Sequence, residues 1–584
     1  MADLHLVVDR SAGGVAAQIA RELREAVRHG RLAAGVRLPA SRELARDLGL
    51  SRGVVVEAYE QLVAEGFLLS RVGVGTTVAP AAARFATSGP SRAESVPRTG
   101  SLSGTGSVPR AGSVPRAESL SRAGSLSRTE RPAQRPSPDG SPPAVAGPSR
   151  AGSPPRTGGS SRTGRIPPAG PSLPDGSLPR AGRPAPGGTA REAVEAPAAG
   201  RDSSAGRCAA APDLSGFPRQ RWMASMRRTL TSLPDGALDY GDPGGVLTLR
   251  EELAAYLGRV RAADVGPDEL VIVGGVAQGL SLAIQALAGR LPQVANRHGL
   301  AWFVRDDTRP AARPGRIRLA IEDPTSLRQL PLLRAAGADP VAVGVDDEGI
   351  DVGALAATGA RAVLLTPAHQ YPTGVVLSPR RRAELIEWAD ATDAMILEDD
   401  YDAEFRFDCD PVGCLQGLAP GRVILAGSVS KSLAPGLRLG WVAAPAPIAE
   451  SLRLARGELD LGSPVLEQYV LADFITTGGY DRHLRRMRRE YRARRDALAG
   501  ALAEHLPEIV VRGVSAGLHL LAELPAGWDE APAAEAALAC GLSTEPVAPM
   551  RHAPGPPALV MGFARLPVHR ADETIRAFAA ALPR

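Results

Sequence analysis

The sequence predicts a multidomain protein in which a small helical domain and a large α/β domain are joined by a long disordered linker. Three observations carry this prediction. Residues 81–210 are almost entirely Ser, Pro, Gly, Ala and Arg, and so few large apolar groups cannot offset the entropy lost on ordering. Residues 11–80 show helical periodicity. Residues 211–584 alternate apolar, strand-like runs with helical stretches, which is typical of a mostly parallel sheet covered by helices.

The net charge of +5 does not by itself indicate a DNA-binding surface. Residues 81–210 hold 18 arginines against 8 acidic residues, the first 80 residues are nearly neutral, and the remainder is slightly acidic. The basic excess therefore belongs to the linker, whose arginines favour either nonspecific attraction to DNA phosphates or a simple solvated spacer.

The first domain has the helical pattern of a nucleic-acid-binding motif. Apolar residues recur every four positions from Val15 to Val27, which predicts an amphipathic helix. A second, short helix is predicted over Ser41–Leu48, and Ser51 is placed to cap a third over Arg52–Glu65. Two short helices joined by a glycine-containing turn form a helix-turn-helix, and residues 67–78 predict a small hairpin after it.

This segment resembles the winged helix-turn-helix domain of GntR-type repressors, on the motifs Leu38-Pro39-Ala40-Ser41-Arg42-Glu43-Leu44-Ala45 and Ala58-Tyr59-Glu60-Gln61-Leu62. The resemblance implies a double-stranded DNA operator as partner, contacted by Arg42, Ser51, Arg52, Gly53, Val54, Thr76 and Thr77. Arginine suits a bidentate bond to guanine or a phosphate clamp. Gly53 and Val54 stand where the family often carries two threonines, so they offer no polar side chain.

One residue of the large domain stands out by its chemistry. Of the 68 basic residues, 67 are arginine and only Lys431 is a lysine. Only an amine can condense with an aldehyde, so a lysine that persists in so arginine-rich a sequence points to covalent chemistry. The count alone leaves chance survival of one surface lysine equally open.

The surroundings of Lys431 favour the chemical interpretation. Ser428 and Ser430 precede it after a predicted strand, and Arg438 follows seven residues later. Hydroxyls and a guanidinium can hold a phosphate, so the segment predicts a pyridoxal 5′-phosphate (PLP) site. After another predicted strand, a carboxylate can keep the pyridine nitrogen protonated and Tyr401 can bond the ring oxygen. Asp399 is our choice for that carboxylate, with Asp400 as the alternative.

Residues 213–584 resemble class I aminotransferases of fold type I. Two motifs resemble one subgroup, the MocR/PdxR/GabR-type regulators, which join a GntR winged helix to an aminotransferase-like domain: His369-Gln370-Tyr371-Pro372-Thr373-Gly374 and Glu398-Asp399-Asp400-Tyr401-Asp402-Ala403-Glu404-Phe405. The resemblance implies a homodimer, and it implies cofactor-binding roles for Val276, Ala277, Tyr240, Tyr371 and His369. It also implies that Arg551 grips the carboxylate of a substrate or effector.

The sequence departs from this family at the ring-stacking position. An aromatic residue usually follows Glu-Asp-Pro, whereas Thr325 and Ser326 follow here, and His369 is one candidate replacement.

Two functions remain open at this stage. The first is a PLP-dependent transcriptional regulator in which PLP, or its adduct with a small amine or amino acid, controls operator binding. The alternative is an active aminotransferase that carries a DNA-anchoring domain. The four cysteines lack metal-ligand spacing, and no apolar run is long enough to span a bilayer, so a cytoplasmic protein without metal or membrane partner is expected.

Overall fold

The computed structural model describes residues 6, 8–10, 13–71, 75–80, 208–291, 315–407 and 412–582. Most of the predicted linker, residues 81–210, lies outside the described residues. Its last three residues are described, and Ala209 and Ala210 are buried against the large domain. The described chain therefore includes the end of the predicted linker. Ala209 lies close to Gly562, where a Cβ would be 2.2 Å from the Ala209 carbonyl oxygen.

The N-terminal domain is a winged helix-turn-helix. Its elements are α1 (Val15–Arg28), α2 (Ser41–Asp47), α3 (Arg52–Glu65), β1 (Leu68–Arg71) and β2 (Gly75–Val78). The two strands pair antiparallel and form the wing. Ser51 precedes α3 as predicted, but its side chain makes no capping hydrogen bond. Gly66 ends α3 with a φ of 87°, a left-handed conformation that favours glycine.

The large domain contains an eight-stranded sheet in the order β3-β10-β9-β8-β7-β4-β5-β6. The strands are β3 (Leu270–Val273), β4 (Ile317–Asp323), β5 (Ala338–Asp346), β6 (Gly349–Ile350), β7 (Ala362–Leu365), β8 (Met395–Asp400), β9 (Val423–Ser428) and β10 (Gly440–Ala443). Strands β5, β4, β7, β8 and β9 run parallel. The central strands are buried along their whole length, which is why they read as continuous apolar runs in the sequence.

A second, antiparallel sheet of four strands follows in the order β11-β12-β14-β13. Its strands are β11 (Val510–Arg512), β12 (His519–Glu523), β13 (Ser543–Pro546) and β14 (Ala558–Gly562). The helices of the large domain are α4 (Arg219–Ser232), α5 (Leu247–Arg261), α6 (Val276–Leu287), α7 (Leu330–Ala336), α8 (Val352–Ala357), α9 (Pro379–Thr392), α10 (Ala446–Leu459), α11 (Val465–Thr476), α12 (Gly479–His505), α13 (Glu530–Ala539) and α14 (Ala571–Ala581). None of the described helices is long and apolar enough to cross a membrane.

The winged helix and the large domain belong to one compact unit. Apolar side chains of α1, α3 and the wing join those of α9 and the neighbouring strands in one buried cluster. The contact is close at Gly66, where a Cβ would lie 3.4 Å from the Leu418 side chain.

Candidate functional site

A cavity of about 360 Å³ opens at the carboxyl ends of the parallel strands. Its wall contains Cys208, Ala210, Val276, Ala277, Leu280, Thr325, Ser326, Arg328, Gln329, Leu332, Thr366, Tyr371, Asp399, Tyr401, Ser428, Ser430, Lys431, Arg438 and Glu545. Nine of these residues are cofactor-binding residues predicted from the sequence. They meet here because parallel strands present their carboxyl ends at one edge, which is where ligands of open α/β sheets bind.

One end of the cavity is built to receive an anion. Val276 and Ala277 form the first turn of α6, whose free backbone N–H groups and positive dipole end favour a phosphate. Gly275 precedes the helix with a φ of 115°, and a Cβ there would lie 3.3 Å from the Arg438 guanidinium. Arg438 itself has a left-handed φ of 50°, a strained conformation that is typical of functional sites. Ser428 and Ser430 complete this end.

Lys431 lies on the cavity wall. It follows β9 in a buried turn, and its Nζ donates a hydrogen bond to the Ala210 carbonyl oxygen at 2.7 Å. The ammonium is therefore held by a backbone carbonyl rather than by a carboxylate. A primary amine on the wall of this cavity is the group that can condense with an aldehyde.

Asp399 faces the cavity from the end of β8. Its Oδ2 accepts a hydrogen bond from Gln329 Nε2 at 3.0 Å, whereas its Oδ1 is buried without a partner. Burial raises the pKa of Asp399 to about 7, against the hydrogen bond from Gln329, which lowers it. An unpartnered carboxylate oxygen in a buried site is what the protonated nitrogen of a pyridine ring requires, so the residues present fit PLP.

The structure separates the two acidic candidates. Asp400 points away from the cavity and forms a bidentate ion pair with Arg261, in which Nε and Nη2 each lie 2.8 Å from a carboxylate oxygen. Successive residues of a strand face opposite sides, so only one of two adjacent aspartates can reach the cavity. The geometry favours Asp399.

The hydrogen bond from Gln329 should favour the ionised form of Asp399 and so lower its pKa. Replacing Gln329 with leucine removes the hydrogen bond that favours the carboxylate, so the pKa of Asp399 should rise further. Because the ring nitrogen is held by the ionised carboxylate, PLP affinity rises with pH through this pKa. In Gln329→Leu that rise should move to higher pH, with about tenfold weaker binding at pH 7. Titration of the cofactor-free protein with PLP at several pH values from 6 to 9 measures how the PLP affinity depends on pH.

The matched control for this prediction is Asp399→Asn, whose affinity profile should lack the rise altogether. A Gln329→Leu profile that superimposes on that of the wild type would contradict the role assigned to Gln329.

Tyr401 and His369 form a hydrogen-bonded group next to the cavity. The Tyr401 hydroxyl donates to the His369 carbonyl oxygen at 3.0 Å, and His369 Nδ1 lies 3.0 Å from Asp402 Oδ2. His369 is buried and is not part of the cavity wall, which is formed instead by Tyr401 and Tyr371. The ring-stacking role considered for His369 therefore lacks support from the wall, where Thr325 and Ser326 leave space.

Two residues implied by the resemblance lie away from the cavity wall. Tyr240 is 82% exposed, the exposure expected of a side chain that reaches a second subunit. Arg551 lies in the loop after β13, where its Nη1 donates to the Pro556 carbonyl oxygen at 2.6 Å. Conversely, sequence reasoning missed Gln329, Arg328 and Glu545, which line the cavity. For Gln329 and Arg328, the only signal in the sequence was the departure from the family pattern at Thr325 and Ser326, just before them.

Four of the seven predicted DNA-contacting residues are exposed on the winged helix. Arg42 lies on α2, and Ser51, Arg52 and Gly53 lie at the amino end of α3, all exposed. Arg52 Nε is 3.5 Å from Ser41 Oγ, which orients its guanidinium toward the preceding helix. Val54, Thr76 and Thr77 are half-buried, and both threonines lie on β2 of the wing.

Comparison with known proteins divides the chain in the same way. Residues 210–582 match the family described as aminotransferase class I and II, and residues 15–78 match the bacterial regulatory proteins of the gntR family. The chain is 29% identical to the HTH-type pyridoxine biosynthesis transcriptional regulator PdxR of Corynebacterium glutamicum, over 90% of this chain and 87% of that protein. It is 26% identical to the probable rhizopine catabolism regulatory protein MocR of Rhizobium meliloti, over 96% and 92%.

Solved aminotransferases share the fold of the large domain. The kynurenine aminotransferase of Pyrococcus horikoshii superposes with a TM-score of 0.55 at 26% identity, over 64% of this chain and 89% of that chain. Together with the family match, such neighbours imply PLP as the cofactor of this domain.

Proposed function

The chain belongs to the aminotransferase class I and II family, and from that premise we propose that it is a transcriptional regulator in which PLP, or an adduct of PLP with an amine, controls DNA binding by the winged helix. The regulators that it resembles along most of their length support this proposal. The observation that carries it is a continuous set of contacts from the cofactor cavity to the winged helix.

Different cavity residues would bind different parts of the cofactor. Bound PLP supplies a reactive aldehyde on an electron-withdrawing ring. Lys431 would hold the aldehyde carbon, Asp399 the ring nitrogen and Tyr401 the ring oxygen. The phosphate would be held by Ser428, Ser430, Arg438 and the first turn of α6. Because Asp399 lies in β8, occupancy of the cavity acts directly on that strand.

Strand β8 contacts residues 412–418, which we name the bridging segment. The contacts come from Glu398 and Asp400, the two neighbours of Asp399 in the strand. Glu398 is fully buried, and its two oxygens accept hydrogen bonds from the backbone N–H groups of Leu415 and Gln416, both at 3.1 Å. Asp400 pairs with Arg261, which donates to the Val412 carbonyl oxygen and accepts from the Cys414 N–H through its own carbonyl oxygen.

The other side of the bridging segment contacts the winged helix. Arg28, at the end of α1, donates to the carbonyl oxygens of Ala262 and Gly417. Glu65, at the end of α3, lies so close that a Cβ on Gly413 would be 2.9 Å from its Cγ. Glu65 is itself fixed by a buried bidentate ion pair with Arg24. The bridging segment is thus packed between β8 and the ends of α1 and α3.

This arrangement allows the cavity to bias the position of the winged helix. A ligand shifts an equilibrium between two conformations only if it binds them with different affinity. Close packing on both sides means that a displacement of β8 or of the bridging segment must be accommodated at Arg28 and Glu65. Allosteric couplings of this kind are typically worth about 5- to 150-fold in affinity.

Arg28 provides the test of this coupling. Arg28→Ala removes both hydrogen bonds to the large domain without touching the cavity or the exposed end of α3. The variant should keep the visible absorbance of bound PLP and should still bind DNA, but the effect of PLP on DNA affinity should shrink toward none. The DNA is a duplex that the wild-type protein selects from a random-sequence pool, and fluorescence anisotropy gives its affinity.

Arg21→Ala is the matched control, because Arg21 lies exposed on the same helix and its loss removes the same charge. Its response to PLP should equal that of the wild type. An Arg28→Ala variant that responds to PLP as fully as Arg21→Ala would contradict the coupling.

One observation favours the alternative of an active aminotransferase. The chain is 30% identical to the aromatic-amino-acid aminotransferase 1 of Thermococcus litoralis, over 53% of this chain and 71% of that protein. Incubation with an amino acid and 2-oxoglutarate separates the two functions. Multiple turnovers indicate an enzyme, whereas a single change of the cofactor spectrum indicates a sensor.

We further propose that the regulator is a homodimer. Tyr240 supports this proposal, because it is a large aromatic side chain that is 82% exposed, and exposed apolar surface of this kind favours contact with a second subunit.

A further inference from the structure

Three side chains that can bind a metal ion meet in the interior of the large domain, next to Tyr401 of the cavity wall. His369 follows β7, Asp402 follows β8, and His519 begins β12 of the second sheet. All three residues are at most 3% exposed, and one ligating atom of each lies within 4.8 Å of those of the other two. Two imidazoles and one carboxylate form a ligand set that suits divalent transition-metal ions.

Several polar atoms of this group have no partner within the protein. Both ring nitrogens of His519 and the Oδ1 atom of Asp402 are buried without a hydrogen bond. One nitrogen of His519 approaches the Pro372 backbone, but not with the geometry of a hydrogen bond. Because burying a polar atom without a partner is costly, three such atoms in one group indicate a ligand that they bind together.

The existing contact between His369 and Asp402 is compatible with a shared ion. His369 Nδ1 lies 3.0 Å from Asp402 Oδ2. Two ligands of a tetrahedral zinc ion, each about 2.0 Å from the metal, lie roughly 3.3 Å apart, so this pair needs little movement. Among the described residues, Asp402 has no arginine or lysine as an ion-pair partner, so its negative charge is available to a cation.

The backbone at Gly517 leaves space beside these two atoms. Gly517 has a φ of 69°, a left-handed conformation that favours glycine. A Cβ at this position would lie 2.5 Å from both His369 Nδ1 and Asp402 Oδ2. Glycine therefore keeps side-chain atoms away from the point where the two ligating atoms face each other.

We propose that His369, Asp402 and His519 bind a divalent transition-metal ion such as Zn²⁺. Each imidazole supplies one nitrogen, and Asp402 supplies one or both of its oxygens. The sequence gave no sign of this site because its ligands come from three distant segments, whereas the expectation of a protein without metal rested on the spacing of the cysteines. The inference is independent of the proposed function, since none of the three residues lines the cofactor cavity.

A metal ion at this position would join the two sheets of the large domain. His519 belongs to the antiparallel sheet, whereas His369 and Asp402 follow parallel strands of the eight-stranded sheet. Unfolding separates these ligands, so the ion stabilises the folded chain. The ion also fixes one side of the cofactor cavity, because the Tyr401 hydroxyl donates to the His369 carbonyl oxygen.

The test is metal binding by the PLP-loaded full chain after a chelator has been used to strip it and has then been dialysed away. Zn²⁺ is titrated in competition with a chromophoric chelator, and thermal unfolding is followed with and without Zn²⁺. The wild type should bind one Zn²⁺ per chain and should unfold at a higher temperature when Zn²⁺ is present. Mg²⁺ should not displace the Zn²⁺, because it prefers an all-oxygen environment.

Two variants remove one ligand each. His519→Leu should fold, since neither nitrogen of His519 makes a hydrogen bond, and Asp402→Asn keeps the shape of the side chain. Each should weaken Zn²⁺ binding by more than about tenfold, a loss typical even of residues that only support a metal ligand. Each should also abolish the Zn²⁺-dependent rise in unfolding temperature.

His505→Gln is the matched control. His505 belongs to an exposed group with Glu504 and Asp572, whose ligating atoms also lie within 4.8 Å of one another. This variant should bind Zn²⁺ as the wild type does, because an exposed group of this kind is already solvated and has the Arg576 guanidinium paired with Asp572.

X-ray absorption at the zinc edge of the loaded wild type tests the ligand set without any substitution. The spectrum should show imidazole nitrogen and oxygen ligands and no sulfur. A wild type that binds no Zn²⁺, a zinc ion with sulfur ligands, binding that survives both His519→Leu and Asp402→Asn, or binding that is lost in His505→Gln would overturn the proposed site. Each of these results leaves the control of DNA binding by PLP unaffected.

Discussion

Replacing Lys431 with alanine should abolish covalent attachment of PLP. Lys431 is the only lysine in the chain, and its Nζ lies on the wall of the cavity that holds the predicted phosphate and ring ligands. Wild-type protein should show a visible absorption band, and borohydride reduction should fix the cofactor to the peptide that contains Lys431. The alanine variant should show neither, because the competing α-amino group belongs to a different domain.

Lys431→Arg is the control that keeps the positive charge of the side chain but removes its reactive amine. A guanidinium stays protonated and does not condense with an aldehyde, so this variant should fail as completely as alanine. Both variants should retain a folded winged helix and basal DNA binding. A visible band of wild-type intensity in Lys431→Ala would refute both the site and the function derived from it.

Replacing Arg52 with alanine should weaken DNA binding by about 1–3 kcal/mol if the guanidinium reads a base. Arg52 is exposed at the amino end of α3, the element that enters the major groove in helix-turn-helix proteins. Arg42→Ala should act in the same direction from α2. The measurement is a titration of the selected duplex at fixed salt, since affinity for DNA depends strongly on ionic strength.

Arg334→Ala is the control for a general loss of positive charge, because Arg334 lies exposed on α7 of the large domain. Cofactor content should be unchanged in all three arginine variants. Equal DNA affinity for Arg52→Ala and Arg334→Ala would exclude Arg52 from the interface.

The sequence predicts local elements well where the apolar periodicity agrees with the residues that begin and end a helix or strand. The third helix was expected over Arg52–Glu65 and has those bounds, because Ser51 precedes it and Gly66 ends it. Lys431 is singled out in the sequence because it is the only lysine and because the strand before it is a continuous apolar run. Such features depend on neighbours in the chain and on the chemistry of single residues.

Contacts between distant segments could not be predicted in this way. The choice between Asp399 and Asp400 depends on Arg261, which is 139 positions away from Asp400. Gln329, Arg328 and Glu545 carry no motif and gain a role only when β4, β8 and β13 meet at the cavity. The packing of the winged helix on the bridging segment likewise depends on glycines at 413 and 417, whose reason lies in the atoms opposite them.

In the proposed function, the state of the cofactor cavity controls DNA binding. The most direct measurement is the affinity of the full chain for the selected duplex in three states: cofactor-free, PLP-loaded, and PLP-loaded with an amine that changes the visible spectrum. The wild type should differ by at least about fivefold between two of these states. Lys431→Ala should bind the duplex with one affinity throughout. A wild-type affinity that is the same in all three states would contradict the account.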